Sequence, residues 1–274
     1  MIDPLSQKIR SFHNLDISKN DMCYIGTNDY GLARIEKMLT RHNRSEMMET
    51  CHIGVSGYYN FDITVFRKSD RIIIFDNNDQ QIKFMKQTLK SINISKTREQ
   101  FINNMMSYLN IKYQEHSILL NEKQYSLGKG KGRGKIDGMF FMINISEDEV
   151  YKNLKYDENP GTEAISEIIY ELGRKGSWLY SDDSYNYIRK LVTKDHIAIF
   201  CEDIKSTDTF KRIGNILNNN NIFVDTLYLT NVKGYMYDHD KLLYDQSVKY
   251  LSNDRTLVIE NKKVLNITIN NIEL

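Results

Sequence analysis

Apolar positions along this chain follow two alternating periods. Short continuous apolar runs recur at Cys51–Val55 (CHIGV), Arg71–Phe75 (RIIIF), His196–Cys201 (HIAIFC) and Ile222–Leu229 (IFVDTLYL). Runs of this length, rich in β-branched residues, fit strands buried on both faces of a parallel sheet. Between them the apolar spacing becomes helical. Phe61–Arg67 has helical character, and Ile82, Met85, Leu89 and Ile92 line one side of a helix over Asn77–Ile92. Asp208–Leu217, capped by Ser206 or Thr207, and Asp240–Leu251 continue the pattern. Upstream, Leu32, Ile35, Lys37, Met38 and Leu39 give the face of a further amphipathic helix that stops at His42-Asn43. Arg255–Glu260 and Val264–Ile269 read as two strands joined tightly and antiparallel through Asn261-Lys262-Lys263.

Residues 97–180 break this alternation. FINNMMSYL is helical, and QYSL and GMFFMIN read as a hairpin joined by GKGKGRGKID. A helix, TEAISEIIYELGRKG, follows Pro160, with Glu early and Arg174-Lys175 late as the helix dipole favours. The expected fold is therefore α/β, a mostly parallel, doubly wound sheet with a C-terminal antiparallel strand. An inserted helix and hairpin subdomain interrupts it at about 97–180. Residues 1–50 form an N-terminal arm, within which Tyr24–Gly31 (YIGTNDYG) is either a lid over the pocket or a capped turn.

Composition narrows the classes. Lys+Arg number 37 against 36 Asp+Glu, a net charge of +1, so no global field drives the chain onto nucleic acid or an anionic membrane. A local patch remains. Lys129–Lys135 (KGKGRGK) is either a basic tip contacting RNA or another polyanion, or a solvated hairpin end. It is not a phosphate loop, because Ile136 stands where Ser or Thr would bind magnesium. Cys23, Cys51 and Cys201 lack metal-ligand spacing, and the six histidines are scattered, so no metal site is expected. No run approaches the length of a membrane span, and the first residues lack a secretory apolar region. The expectation is a cytoplasmic protein in a reducing compartment.

Three clusters fall at strand ends, where an open parallel sheet gathers its ligand. The first is Gly54-Val55-Ser56-Gly57-Tyr58-Tyr59-Asn60, a turn in which glycine would supply positive φ and close backbone approach. The following strand ends in Asp76, where a carboxylate can accept both hydroxyls of a ribose. That pairing marks residues 51–274 as a Rossmann-like domain. The second cluster is Glu202-Asp203, where a carboxylate can meet an adenine amino group. The third is Thr230-Asn231 with Tyr235, bordering the reacting end of the ligand. Each has a bland reading beside it: a tight turn, a helix cap or a solvated loop.

Taken together, the glycine turn, the acids after the second and third strands, the polar loop after the fourth and the final hairpin resemble the class I S-adenosylmethionine-dependent methyltransferase fold. The likeness spans residues 51–95 and 190–270. It implies S-adenosylmethionine as cofactor, with Gly54, Ser56, Gly57 and Tyr58 along it. Asp76 and Asn77 would lie at its ribose, Asp203 at its adenine, and Thr230 beside it. Asn231 and Tyr235, with the Tyr180-Ser181 region, would form the methyl-acceptor pocket. The sequence departs from the family's glycine motif at three places. His52 stands at the family's acid, Ser56 at its second glycine and Tyr58 at its third. Two other readings stay open: a methyltransferase-like binding module without catalysis, and an NAD-dependent oxidoreductase.

Overall fold

The computed structural model describes residues 2–17, 23–24, 32–42, 48–108, 142–143, 175–260 and 263–266. The 129–135 basic tip, the helix expected after Pro160 as far as residue 174 and residues 25–31 lie outside these, as does the expected hairpin apart from residues 142–143.

The strands are β1 (Cys23–Tyr24), β2 (Glu49–Val55), β3 (Arg71–Asp76), β4 (Met142–Ile143), β5 (Ile197–Cys201), β6 (Ile222–Thr230), β7 (Leu257–Glu260) and β8 (Lys263–Asn266). The helices are α1 (Pro4–Arg10), α2 (Leu32–Leu39), α3 (Tyr59–Arg67), α4 (Asp79–Ile94), α5 (Arg98–Tyr108), α6 (Asp182–Thr193), α7 (Thr207–Asn219) and α8 (Asp238–Leu251). A 3₁₀ turn, Val232–Tyr235, precedes α8.

The main sheet has the order β5-β3-β2-β6-β7-β8. Its first five strands are all parallel, and β8 pairs antiparallel with β7. The chain runs outward from β2 to β3 and β5, then crosses back to β6 and β7. The order therefore reverses between β2 and β6, the switch point at which such sheets hold ligands. β1 and β4 form a separate antiparallel pair.

Burial explains the sequence pattern. Successive strand residues point to opposite faces. Ile72 and Ile74 join one core with α3, α4, α5, α6 and Trp178, whereas Ile73 and Phe75 join another with α1, α7 and α8. A third cluster packs Ile35 and Leu39 of α2 against Tyr59, Ile63, Tyr228 and Ile259. Both faces are covered, so the strands carry near-continuous apolar runs.

Two polar devices hold this frame. Arg67 and Asp225 form a buried bidentate ion pair at 2.6 and 2.7 Å, and Arg67 also donates to the carbonyls of Leu39, the last residue of α2, and His42 beyond it. Residues 3–14 run along the open edge of β5. Arg10 bridges to Asp195, the Asn14 amide donates to the Cys201 carbonyl, and His13 Nδ1 accepts the Cys201 amide at 2.8 Å. An imidazole thus stands where a neighbouring strand would offer a carbonyl, which blunts an edge open to aggregation. No described helix is long and apolar enough to cross a membrane.

Candidate functional site

The carboxyl edge of the sheet brings together the ends of β2, β3, β5 and β6. Gly54 pairs with Tyr228, Val55 with Phe75, and Asp76 with Cys201. Ser56, Asp76, Glu202-Asp203 and Thr230 therefore stand at neighbouring strand ends.

The turn after β2 differs from its expected chemistry. Positive φ falls on Ser56, at 71°, while Gly57 has none. At the adjacent strand end Thr230 is also left-handed, with φ 46°. For an L-residue this conformation costs about 1–2 kcal/mol. Such residues persist where the surroundings over-determine them, and they gather at ligand sites.

Gly54 has a packing role. A methyl group there would run into the side chain of Asn60 and lie 3.2 Å from His52 Nε2. Tyr58, expected along the cofactor, is a core residue instead. Its ring is fully buried against Phe61, Phe84 and Trp178, and its hydroxyl meets Thr88 Oγ1 at 3.2 Å. The sheet face beneath α3 has room for an aromatic ring there, so burial wins over exposure at the turn.

Asp76 is held by backbone. Its carboxylate accepts the Asn78 amide at 2.9 Å, and the Ser56 and Asn77 amides also bond to it. Burial pushes its carboxyl up to about 6, helped by the nearby Asp203 charge, and these three amides restrain the rise. Asn77 reaches toward Asp203, with Nδ2 3.4 Å from Oδ2. Asp203 Oδ1 accepts the Lys205 amide. Glu202 serves as a cap: its carboxylate accepts the Asp203 amide and the hydroxyls of Ser206 and Thr209. Of the two acids after β5, Asp203 is thus the more open to a ligand.

Past β6, Asn231 Nδ2 lies 3.5 Å from the Tyr235 hydroxyl, and the Tyr235 ring is 80% exposed. These two sit at the rim, beside Thr230. Ser181 caps α6, its hydroxyl accepting the Ser184 amide at 3.1 Å.

One group of residues escaped sequence reasoning. His52, Asn60 and Thr226 are fully buried and bonded in series: Thr226 Oγ1 to His52 Nδ1 at 2.7 Å, and His52 Nε2 to Asn60 Oδ1 at 3.0 Å. Asn60 Nδ2 donates to the carbonyls of Val55 and Gly57, both at 2.9 Å. Burial lowers the His52 pKa to about 4, so the ring is neutral. The signal in the sequence was His52 in β2 and Asp225-Thr226 in β6, polar residues inside strands that are buried along almost their whole length.

No curated protein matches the chain. A family model described as a domain of unknown function matches residues 24–271, which covers β2 to β8 and the site assembled here. The chain belongs to this family, DUF7790.

Proposed function

We propose that this protein binds S-adenosylmethionine at the carboxyl edge between β2 and β6 and transfers its methyl group to an acceptor. The observation that carries the reading is the pair of left-handed residues, Ser56 and Thr230, flanking the switch point with Asp76 beside them. The strand order, 3-2-1-4-5-6 counted from β2, is shared with dinucleotide-binding sheets; the antiparallel β8 at its end is the feature that favours this reading over theirs.

The residues present fit the ligand in the following way. Asp76, with its carboxyl titrating near 6, is mostly ionised at neutral pH and can accept ribose hydroxyls. Asp203, one strand over, suits an adenine amino group. The bound cofactor would supply an electrophilic methyl group. Asn231 and Tyr235 would orient the acceptor, since methyl transfer needs alignment far more than acid–base help. Because ribose hydroxyls favour the ionised carboxylate, affinity should fall as pH drops below about 6.

Two observations favour a second reading, a binding module without turnover. A neutral, buried His52 stands where the resembled family has an acid, and the Tyr58 ring is withdrawn into the core.

Calorimetric titration of S-adenosylmethionine, S-adenosylhomocysteine and NAD against wild type and Asp76→Ala tests both. Binding of the first two, lost in the variant, is the expected result. NAD binding without any response to S-adenosylmethionine would overturn the proposal. Cofactor binding without turnover across acceptor libraries would leave the second reading.

A further inference from the structure

The buried chain of Thr226, His52 and Asn60 ends on one peptide group. Asn60 has only one arrangement that satisfies its neighbours. Its amide nitrogen donates to the Val55 and Gly57 carbonyls, so its oxygen must accept. His52 Nε2 therefore carries the proton and donates to Asn60 Oδ1, and His52 Nδ1 accepts the Thr226 hydroxyl. Each bond fixes the polarity of the next.

The Val55 carbonyl that Asn60 holds belongs to the same planar peptide unit as the Ser56 amide. That amide donates to the Asp76 carboxylate. One rigid plane is thus gripped at both ends, by Asn60 on its oxygen and by Asp76 on its hydrogen. Gly54 completes the arrangement, since any side chain there would displace Asn60.

We infer that His52, Asn60 and Thr226 are positioning residues that hold the Val55–Ser56 peptide, and through it orient the Asp76 carboxylate and the left-handed turn for the ligand. The relay links β6, β2, α3 and β3 across the switch point, so a change at Thr226 is felt at Asp76 without contact between them. Its effect on a ligand rests on the S-adenosylmethionine reading. Its effect on Asp76 does not.

The test separates the two. Carboxyl-carbon NMR follows the titration of Asp76, amide exchange follows Ser56, and calorimetry follows S-adenosylhomocysteine. In Asn60→Ala and His52→Leu the Ser56 amide should exchange at least about tenfold faster, and the Asp76 midpoint should move up by about half a pH unit as one amide bond is lost. Affinity should drop about tenfold, the share of one hydrogen bond. His52→Gln keeps a donor near the Nε2 position and should restore all three readouts. Thr226→Val removes only the far end of the relay and should shift them in the same direction by less. It also keeps the test open should Asn60→Ala fail to fold. Unchanged Asp76 titration and Ser56 exchange in Thr226→Val and in a folded Asn60→Ala would overturn the inference, whatever their stability. The expected shifts in a protein that binds neither cofactor form would uphold the relay and remove the ligand reading alone.

Discussion

Ser56, directly after β2, and Thr230, the last residue of the neighbouring parallel strand β6, each lie two residues past the paired Gly54 and Tyr228, and both have positive φ. Neither is glycine. Ser56→Gly removes the steric cost of the left-handed conformation, about 1–2 kcal/mol, but adds about 0.5–1 kcal/mol of backbone entropy. The net should be a stabilisation of up to about 1.5 kcal/mol. Ser56→Val should destabilise by about 1–2 kcal/mol, because a β-branched side chain tolerates this region worst. Urea unfolding of the three proteins checks the order. A valine variant as stable as wild type would show that the turn is not strained.

Gly54→Ala should be more damaging than any substitution at Ser56. The added methyl displaces the Asn60 side chain, which takes its amide away from the Val55 carbonyl and leaves the Gly57 carbonyl only the longer bond from the Asn60 backbone amide. Overpacking of this kind costs about 1–3 kcal/mol, and buried unsatisfied groups add to it. A shift of the urea midpoint well below that of Ser56→Val is the expected outcome. If Gly54→Ala were neutral, the close approach of Asn60 to the strand would be wrong.

Arg67→Met should destabilise the protein by about 3–5 kcal/mol, because it strands a buried carboxylate at Asp225. Asp225→Leu added to it should recover part of that loss. Full recovery is not expected, since Arg67 also serves the carbonyls of Leu39 and His42. A double-mutant cycle by chemical denaturation measures the coupling. Additive losses would mean that the pair is not a unit.

The sheet was largely legible because its strands are buried on both faces, which forces runs such as Arg71–Phe75 that nothing but a covered strand needs. Asp76 was legible for the same reason, as the first acid after such a run. The turn was not. Which residue takes positive φ depends on what grips its peptide groups, and those grips come from Asn60 and Asp76 rather than from the glycine beside it. Tyr58 reads as a turn residue locally, yet Trp178, 120 positions away in sequence, gives its ring a place in the core. His52 likewise finds its partner at Thr226, on another strand. Local sequence carries propensities, and these three residues are set by contacts that exist only after folding.

His52 and Asp76 also oppose each other in the pH dependence of stability. Burial lowers His52 from 6.5 to about 4, so between those values the unfolded chain holds more proton than the folded one. Stability from this group therefore rises with pH through 4 to 6.5 and is lost on acidification, by about 3 kcal/mol in all. Burial raises Asp76 from 3.8 to about 6, so across that window the folded chain holds the extra proton. Its contribution falls as pH rises through 3.8 to 6, by a smaller amount because the group keeps some solvent contact. The windows nearly coincide, and the two slopes offset in wild type. Asp76→Asn removes one of them and should leave a urea midpoint that climbs between pH 4 and 6.5. His52→Gln removes the other and should turn the slope downward relative to wild type over the same range, on top of the rise that His13, also lowered by burial, adds in every variant. The ion-paired carboxyls Asp3 and Asp195 are held below 3.8 and act at lower pH, so they do not confuse the comparison. Parallel midpoint curves for wild type and Asp76→Asn would show that Asp76 is not protonated in this window, and the expected fall of ligand affinity below about pH 6 would have to be abandoned with it.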